Sequence, residues 1–236
     1  MEGVAGASPA ILFDVDGTLA ETERDGHRVA FNRAFAAAGL DWHWDEALYG
    51  DLLQVTGGRE RITHFIERRA PQWRGRVDIA ALHAEKNRRY AELVAAGAIG
   101  LRPGVARLID AIERAGWTLG IVTTTSRANL EALLDATLGA NTLARFAVVV
   151  CGEDVVRKKP APDAYELALR RLPPGTRALA IEDSRNGLLA ARAAGIPTLV
   201  VRSLYTTGDD FGEAAAVCDG FEDIGLAQLR SALAHR

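Results

Sequence analysis

The sequence predicts an α/β fold, a doubly wound, Rossmann-like parallel sheet that carries an inserted domain of α-helices. Two observations predict it. Short apolar runs alternate with helical patterns over most of the chain, and one long helical stretch interrupts that alternation after the first run. Strands that are separated by single helices form βαβ units, which build parallel sheets with helices on both faces.

The five predicted strands are nearly continuous in Val, Ile, Leu and Ala, with little alternation of polar residues. Such runs are typical of strands whose two faces are both covered by helices. In chain order they are AILFDV at 10–15, TLGIVTT at 118–124, AVVVC at 147–151, ALAIE at 178–182 and TLVVR at 198–202.

Helical periodicity fills the intervals between the later strands. Gly116 and Gly195 end two of these helices just before the next strand, which is the usual position of a glycine that stops a helix. The helices predicted in this part of the chain are Val105–Arg114, Arg127–Leu138, Pro162–Arg171 and Asn186–Ala194.

The interval between the first and second strands is helical throughout, from about residue 22 to residue 98. It is too long for one crossover helix and too regular for a loop. We therefore predict a helical domain at residues 21–97, inserted into an α/β domain of residues 1–20 and 98–236, with hinges at 21–23 and 97–104. The predicted helices of the insert are Asp25–Ala38, Asp45–Leu53, Gly58–Arg69 and Ile79–Ala96.

Composition and charge argue against several classes of protein. The chain has 236 residues and a net charge of -3, which gives no electrostatic reason to expect nucleic acid or an anionic membrane as a partner. No apolar run approaches the ~18 residues of a membrane helix, and the first nine residues lack the regions of a signal peptide. Cys151 and Cys218 have neither metal-site nor disulfide spacing. These features predict a cytoplasmic protein.

Polar side chains follow four of the predicted strands, where each strand leaves the sheet. In an open α/β sheet, ligands bind outside these carboxyl ends. Lysine is otherwise rare, since only three of the 28 basic residues are lysines and two of those three are adjacent. The groups are Asp14, Asp16, Gly17 and Thr18 after the first strand, TTTS at 123–126 after the second, Lys158 and Lys159 beyond the third, and Glu182, Asp183 and Ser184 after the fourth.

Carboxylates and an ammonium group on one rim suit phosphoryl transfer. Several carboxylates at one point repel one another unless a cation lies among them, and hard oxygen ligands favour Mg²⁺. A lysine, a hydroxyl group and backbone N–H groups opposite the metal would bind an anion. The sequence therefore predicts a magnesium site that faces a site for a phosphoryl group.

Four motifs at these strand ends resemble, in order, those of the haloacid dehalogenase-like superfamily of phosphohydrolases: DVDGT, TTTS, KKPAPD and IEDS. The resemblance covers nearly the whole chain from residue 10, and the helical insert resembles the helical cap of that family. Four longer segments are similar to its CbbY-like branch, which is close to β-phosphoglucomutase. These segments are LAETERDGHRVAFNRAF at 19–35, TGGRERI at 56–62, TTTSRANLEAL at 123–133 and EDSRNGLLAARAAG at 182–195.

The resemblance implies a role for each residue at the rim. Asp14 would be the nucleophile that forms an aspartyl-phosphate, and Asp16 would protonate the leaving oxygen and then activate water. Thr124 and Lys159 would bind the transferring phosphoryl group; we choose Lys159 over Lys158 because the family's lysine directly precedes a proline. The implied ligands of Mg²⁺ are the Asp14 carboxylate, the Asp16 backbone carbonyl and Asp183. Glu182 would be a further ligand, direct or through water, or a residue that orients its neighbours.

The same resemblance implies a substrate site between the cap and the core. Arg59 on the cap, with Ser126 and Arg127 on the core, would contact the second, non-reacting phosphate of the substrate. Glu21, Thr22 and His27 would lie at the seam between the two domains. For His27, a structural role at the seam or the surface stays open beside a catalytic one.

The predicted function is that of a Mg²⁺-dependent phosphatase that hydrolyses a small sugar phosphate or bisphosphate, with xylulose 1,5-bisphosphate favoured by the CbbY-like resemblance. One alternative is a phosphomutase of the β-phosphoglucomutase type, and Thr18 in place of an apolar residue favours hydrolysis over it. Another is a phospho-acceptor signalling domain, but such receivers are about half this length and carry no helical insert. We expect a monomer whose partner is the phosphorylated sugar.

Overall fold

The computed structural model describes residues 8–235, so most of the expectation for the first nine residues falls outside it. Six strands form one sheet in the order β3-β2-β1-β4-β5-β6, and all neighbouring strands are parallel. The prediction of an α/β fold with a doubly wound parallel sheet is confirmed. The strands are β1 Ala10–Phe13, β2 Thr118–Val122, β3 Val148–Val150, β4 Ala178–Glu182, β5 Thr198–Val201 and β6 Ala216–Cys218.

The helices between the strands begin where the sequence supplies a cap. The hydroxyl groups of Ser126 and Ser184 accept backbone N–H groups three residues later and fix the start of two helices. The core helices are α5 Val105–Arg114, α6 Arg127–Leu138, α7 Asp163–Arg171, α8 Arg185–Ala193 and α9 Leu226–Leu233. Those of the insert are α1 Arg28–Ala37, α2 Glu46–Leu52, α3 Gly58–Arg69 and α4 Ile79–Ala95.

The predicted helix bounds agree with the structure to within a residue or two, apart from the first helix. There the chain forms a π-helix at Glu23–His27 before α1 begins. Two elements, β6 and α9, are not among those predicted from the sequence. β6 is three residues long and half exposed at the sheet edge, so it lacks the buried apolar run by which the other strands were found.

The two faces of the sheet are covered by different helices. Side chains alternate along β1, so Ile11 and Phe13 pack with α5, α6 and α9, whereas Ala10 and Leu12 pack with α7 and α8. Both clusters are almost fully buried. The central strand is therefore covered on both faces, which leaves its carboxyl end as the place where polar groups can gather.

The inserted helices have an aromatic core of their own. Phe31 packs against Trp44 with ring centroids 4.7 Å apart, and Phe35 packs against Trp42 at 5.4 Å. The two connections to the α/β core run side by side, because Ala20 and Leu101 form an antiparallel bridge. The division at residues 20/21 and 97/98 itself stays a prediction. None of the described helices combines the length and apolarity that crossing a membrane requires.

Candidate active site

Three strand ends bring the first predicted residues together. β1 lies between β2 and β4, so Asp14 after β1 is a neighbour of Glu182 at the end of β4. Lys159 reaches both from the loop after β3: its Nζ donates to Asp14 Oδ1 at 2.7 Å, to Glu182 Oε1 at 2.5 Å and to the Val122 carbonyl at 2.7 Å. Burial works against this charge, but Asp14 and Glu182 outweigh it and raise the pKa of Lys159.

Asp14, Glu182 and Asp183 form a buried acidic group whose carboxylate oxygens lie within 4.8 Å of one another. Burial raises the pKa of Asp14 to about 8, with Glu182 adding to the effect, and it raises the pKa of Asp183 together with repulsion from Asp14. With all three carboxylates ionised, the single ammonium of Lys159 would leave two negative charges uncompensated, which is why these pKa values rise when no further cation is bound. A divalent cation with hard oxygen ligands fits both the charge and the donor atoms of this group.

The turn after Asp14 depends on Gly17. Its φ angle is +83°, in the left-handed region that favours glycine, and a Cβ atom there would lie 2.1 Å from Asp183 Oδ2. A side chain at this position would push Asp183 away from Asp14. The glycine of the DVDGT motif therefore allows the acidic group to assemble.

Glu182 is held more tightly than the two aspartates. Its Oε1 accepts from Lys159 and from the Tyr165 hydroxyl, both at 2.5 Å. Its Oε2 is buried and makes no hydrogen bond within the described residues. A Cβ atom at Gly187 would lie 1.9 Å from that Oε2. The geometry thus fits a residue that fixes Lys159 with one oxygen and has the other free for a further cationic or donor partner.

Asp16 has different surroundings on the cap side. Its Oδ1 accepts from Thr22 Oγ1 at 2.6 Å and lies 2.9 Å from His27 Nε2. Lys86 Nζ of α4 lies 3.0 Å from His27 Nδ1, and since an ammonium only donates, His27 carries its hydrogen on Nε2 and donates it to Asp16. Burial opposes the charge on Asp16, but His27, Thr22 and Lys86 outweigh it and lower the pKa of Asp16 to about 2.

The π-helix explains how Thr22 and His27 reach one oxygen. These residues are five positions apart, which in an α-helix would set their side chains about 140° apart around the axis. A π-helix closes its turn with i→i+5 hydrogen bonds, as from Arg28 N–H to the Glu23 carbonyl, so positions five apart lie on nearly the same side. The widened turn thus serves the contact with Asp16.

Two cavities meet between the cap and the core. The larger, of about 390 Å³, lies between α3, α4 and the core loops that follow β2 and β3. The smaller, of about 110 Å³, contains Asp14, Lys159 and Asp183. Four residues line both cavities and form what we call the neck: Asp16, Glu23, Arg61 and Thr124.

Polar contacts join the cap to the core around these cavities. Lys158, the lysine next to Lys159, donates to Glu60 of the cap. Such contacts join the cap to the core over the rim. Three side-chain pairs of this kind are Lys158 Nζ with Glu60 Oε1 at 2.6 Å, Asn129 Nδ2 with Asn87 Oδ1 at 3.1 Å, and Asn186 Nδ2 with Thr56 Oγ1 at 3.2 Å.

The predicted substrate residues are divided between the cavities. Arg59, Ser126 and His27 line the larger cavity, and Glu21 lines the smaller one. Arg127 is absent from both linings within the described chain; its Nη2 lies 3.6 Å from Asp154 Oδ2, and its side chain is 40% exposed. The structure therefore brings four of these five residues to the cavities.

Several residues of the site were missed by sequence reasoning. Lys86 carried a usable signal, because it is the third lysine of a chain that otherwise uses arginine. Arg61 and Glu23 carried none, since an Arg or Glu in a helical cap pattern is usually a solvated surface residue. Tyr165, which fixes Glu182, sits in an ordinary amphipathic helix. All four take their positions from packing between distant elements.

Comparison with known proteins agrees with this geometry. The family model described as haloacid dehalogenase-like hydrolase matches residues 9–195. The chain belongs to this family. It is therefore an enzyme, a hydrolase of the phosphatase type, as the resemblance of its four motifs implied.

The nearer relationships fall within the CbbY-like branch, and that prediction is confirmed. The chain is 53% identical over 215 residues to the plasmid protein CbbY of Cupriavidus necator, which covers 88% of this chain and 84% of that protein. A crystal structure of CbbY from Rhodobacter sphaeroides with phosphate matches with a TM-score of 0.88 at 47% identity, covering 94% of this chain and 99% of that chain. A variant of the same protein in complex with xylulose-(1,5)bisphosphate matches with a TM-score of 0.87 at 47% identity and the same coverage.

Proposed function

We propose that this protein is a Mg²⁺-dependent phosphatase that hydrolyses a small sugar phosphate or bisphosphate, with xylulose 1,5-bisphosphate favoured, through an aspartyl-phosphate on Asp14. The observation that carries the proposal is the buried group in which Lys159 Nζ lies 2.7 Å from Asp14 and 2.5 Å from Glu182. The favoured substrate is supported by the relative at 47% identity whose variant binds xylulose-(1,5)bisphosphate.

In this proposal the carboxylates of Asp14 and Asp183 and the backbone carbonyl of Asp16 hold Mg²⁺. The bound ion would mask the repulsion between a carboxylate nucleophile and the phosphate that it attacks. Glu182 accepts from both Lys159 and Tyr165 through one oxygen, so we assign it first to the orientation of Lys159. Its other oxygen remains available as a direct or water-mediated ligand.

The first step is displacement at phosphorus. An oxygen of Asp14 attacks, the bond from phosphorus to the sugar oxygen breaks, and Asp16 transfers a proton to that oxygen. As charge develops on the phosphoryl oxygens, Lys159 would shift to them the hydrogen bond that it donates to Asp14, and the Thr124 hydroxyl would donate to them as well. Before substrate binds, burial opposes the charge on Asp16, but His27, Thr22 and Lys86 outweigh it and keep the pKa of Asp16 at about 2. A phosphoryl group arriving next to Asp16 would raise that pKa and let it hold the required proton.

The second step is hydrolysis of the aspartyl-phosphate. Asp16 now takes a proton from water, the resulting oxygen attacks phosphorus, and the bond to Asp14 breaks to release inorganic phosphate. His27 and Thr22 hold Asp16 in one orientation for both steps. The contacts between cap and core keep other water out until the sugar has left.

The larger cavity would receive the rest of the substrate. We propose that Arg59 and Ser126, which line it, contact the second phosphate. Arg127 would have to leave Asp154 to join them, and Glu21 in the smaller cavity stays a candidate for substrate binding. The monomeric state, the cytoplasmic location and the absence of nucleic acid and membrane as partners stay predictions.

A screen of phosphate release tests this function. The protein is incubated with xylulose 1,5-bisphosphate and with a panel of sugar mono- and bisphosphates, in Mg²⁺ or in EDTA, while free phosphate and the sugar products are measured together. We expect one phosphate to be released from each bisphosphate in Mg²⁺ and none in EDTA. An isomerised sugar without free phosphate would make the protein a mutase, and a stable phospho-Asp14 without turnover would make it a phospho-acceptor domain.

A further inference from the structure

The neck contains a single cation, Arg61, at the narrow point between the two cavities. The other neck residues are two carboxylates and a hydroxyl, namely Asp16, Glu23 and Thr124. Arg61 lies in the first turn of α3, so the cap supplies this charge and the core does not. Any substrate that reaches from the smaller cavity into the larger one must pass beside it.

The Arg61 side chain is buried and fixed in place. It is 7% exposed, its Nε donates to the Leu52 carbonyl at 3.2 Å and its Nη1 donates to the Tyr49 hydroxyl at 3.1 Å. The guanidinium carbon also lies 5.3 Å from the centre of the Tyr49 ring. A guanidinium held in this way keeps a defined direction at the neck.

Part of the Arg61 guanidinium is left without a partner. Its Nη2 donates no hydrogen bond within residues 8–235, and its charge forms no direct ion pair there, because the Tyr49 hydroxyl stands between it and Glu23. Burial alone would lower the pKa of Arg61, but Tyr49, Glu23 and Asp16 outweigh it and keep the group charged. A buried charge with unused donors is costly unless a ligand supplies acceptors.

We propose that Arg61 contacts the substrate and donates to the oxygen atoms on the sugar carbons next to the bond that is broken. This inference rests on the proposed function and deepens it. Asp14, Lys159 and Asp183 line only the smaller cavity, which assigns the transferring phosphoryl group to that side. The neck with Asp16 then holds the bridging oxygen, so Arg61 meets the hydroxyl or carbonyl groups that come after it.

Arg59 provides a contrast on the same helix. It also lines the larger cavity, but its side chain is exposed, and the second phosphate is the partner that suits it. Arg61 instead recognises the reacting end of the sugar. The two arginines of the segment RER at 59–61 would therefore bind opposite ends of one substrate.

Three substrates separate this role from the others. Xylulose 1,5-bisphosphate and a sugar monophosphate both carry oxygens next to the scissile bond, whereas p-nitrophenyl phosphate carries none. Arg61→Met should lower kcat/KM for both sugar phosphates by roughly 10- to 100-fold, the effect of a lost charge-assisted hydrogen bond. For p-nitrophenyl phosphate it should stay within about threefold of the wild type. Arg61→Lys, which keeps the charge without the planar fork, should fall between.

Matched variants sharpen the result. Arg68→Met, at an exposed position on the same helix, should leave all three rates unchanged, and Arg59→Met should affect the bisphosphate far more than the monophosphate. Thermal unfolding of each variant checks that the cap still folds. If Arg61→Met does not fold, the rates of Arg61→Lys alone decide the test. Equal losses on p-nitrophenyl phosphate and the sugar phosphates, or no loss on either, would overturn the role of Arg61. A wild type that releases no phosphate from any sugar phosphate would instead overturn the proposed function, and this inference with it.

Discussion

The core rim places mainly carboxylates around the site, whereas the cap places cationic groups there. The pKa values of the two aspartates after β1 differ accordingly. Asp14 lies among the carboxylates of the core, and burial raises its pKa to about 8. Asp16, two residues later, lies against His27, with Lys86 behind it, and although burial opposes ionisation these cap groups lower its pKa to about 2. One turn at a strand end thus separates two chemically identical side chains into two environments.

The origin of each environment is also different. Asp14 and Asp183 lie at the ends of adjacent strands, so the sheet itself fixes the acidic group. The partners of Asp16 come from the cap, and Lys86 is 59 residues from His27 in sequence. Movement of the cap would therefore change the state of Asp16 and leave that of Asp14 nearly unaltered. A single substitution can therefore alter the environment of Asp14 or that of Asp16 without altering the other.

The largest effect is expected for Asp14→Asn on the core side. An amide does not attack phosphorus, so turnover of the favoured substrate should fall by at least about 10⁴-fold. Intact mass after acid quenching should show no phosphorylated protein. Asp16→Asn is the matched change two residues away; it should also be severely slowed, but phosphorylated protein should accumulate. Wild-type turnover by Asp14→Asn would rule out the covalent scheme.

Removal of the metal tests the acidic group without any substrate. Because the pKa values of Asp14 and Asp183 are raised, the folded state binds more protons than the unfolded state from about pH 4 up to about pH 8. In EDTA, these two carboxyl groups should therefore lower the free energy of unfolding as pH rises through this window. Mg²⁺ should raise the melting temperature most at the upper end, by linkage. In Asp183→Asn, both the pH slope and the response to Mg²⁺ should shrink; an unchanged response would exclude Asp183 as a ligand.

Lys86→Met changes the cap side and should separate activity from stability. The Lys86 ammonium is buried, and burial lowers its pKa from 10.5 to about 8, so at neutral pH it destabilises the fold, and this cost fades as pH rises from about 8 to 10.5. Its removal should stabilise the protein by about 1–3 kcal/mol at pH 7. The kcat should fall roughly 10- to 100-fold because His27 loses the donor that fixes its tautomer.

Chemical unfolding and steady-state rates on the same preparation measure both effects of Lys86→Met. Glu92→Gln, on the exposed face of the same helix, is the control and should change neither stability nor rate appreciably. A variant that gains stability and keeps the wild-type kcat would show that Lys86 does not act through His27. The pH–rate profile should also lose any alkaline limb near pH 8 that Lys86 causes.

The same division decides which residues could be predicted from the sequence. The residues of the core rim are local to strand ends, so Asp14, Asp183 and Lys159 could be found among the polar residues that come after each apolar run. The cap residues Lys86 and Arg61 face the site only because α3 and α4 pack over the rim, and no spacing in the sequence encodes that contact.

The direction in which a side chain leaves its helix is a second feature that the sequence did not predict. The helix predicted at Asp25–Ala38 begins after Thr22 and so would not relate Thr22 to His27, whereas the π-helix at Glu23–His27 widens one turn and brings both side chains to one oxygen. β6 escaped because three half-exposed residues at a sheet edge carry no apolar run. The α/β fold followed from periodicity, whereas the cap side of the site depends on long-range packing.

The smallest effect is expected at the contact between the two regions, the pair of Lys158 and Glu60. Their atoms are 2.6 Å apart, but the side chains are 20% and 46% exposed, so the pair should contribute only about 0.2–1 kcal/mol to closure of the cap. Lys158→Gln and Glu60→Gln should each raise KM by about two- to fivefold, and the double variant should do no more than either single one. Because salt screens this pair of exposed charges, added salt should raise the KM of the wild type toward the KM of the variants. If Lys158 instead binds the substrate, Glu60→Gln would lower KM while Lys158→Gln raises it, and the contact would belong to the substrate site rather than to the closure of the cap.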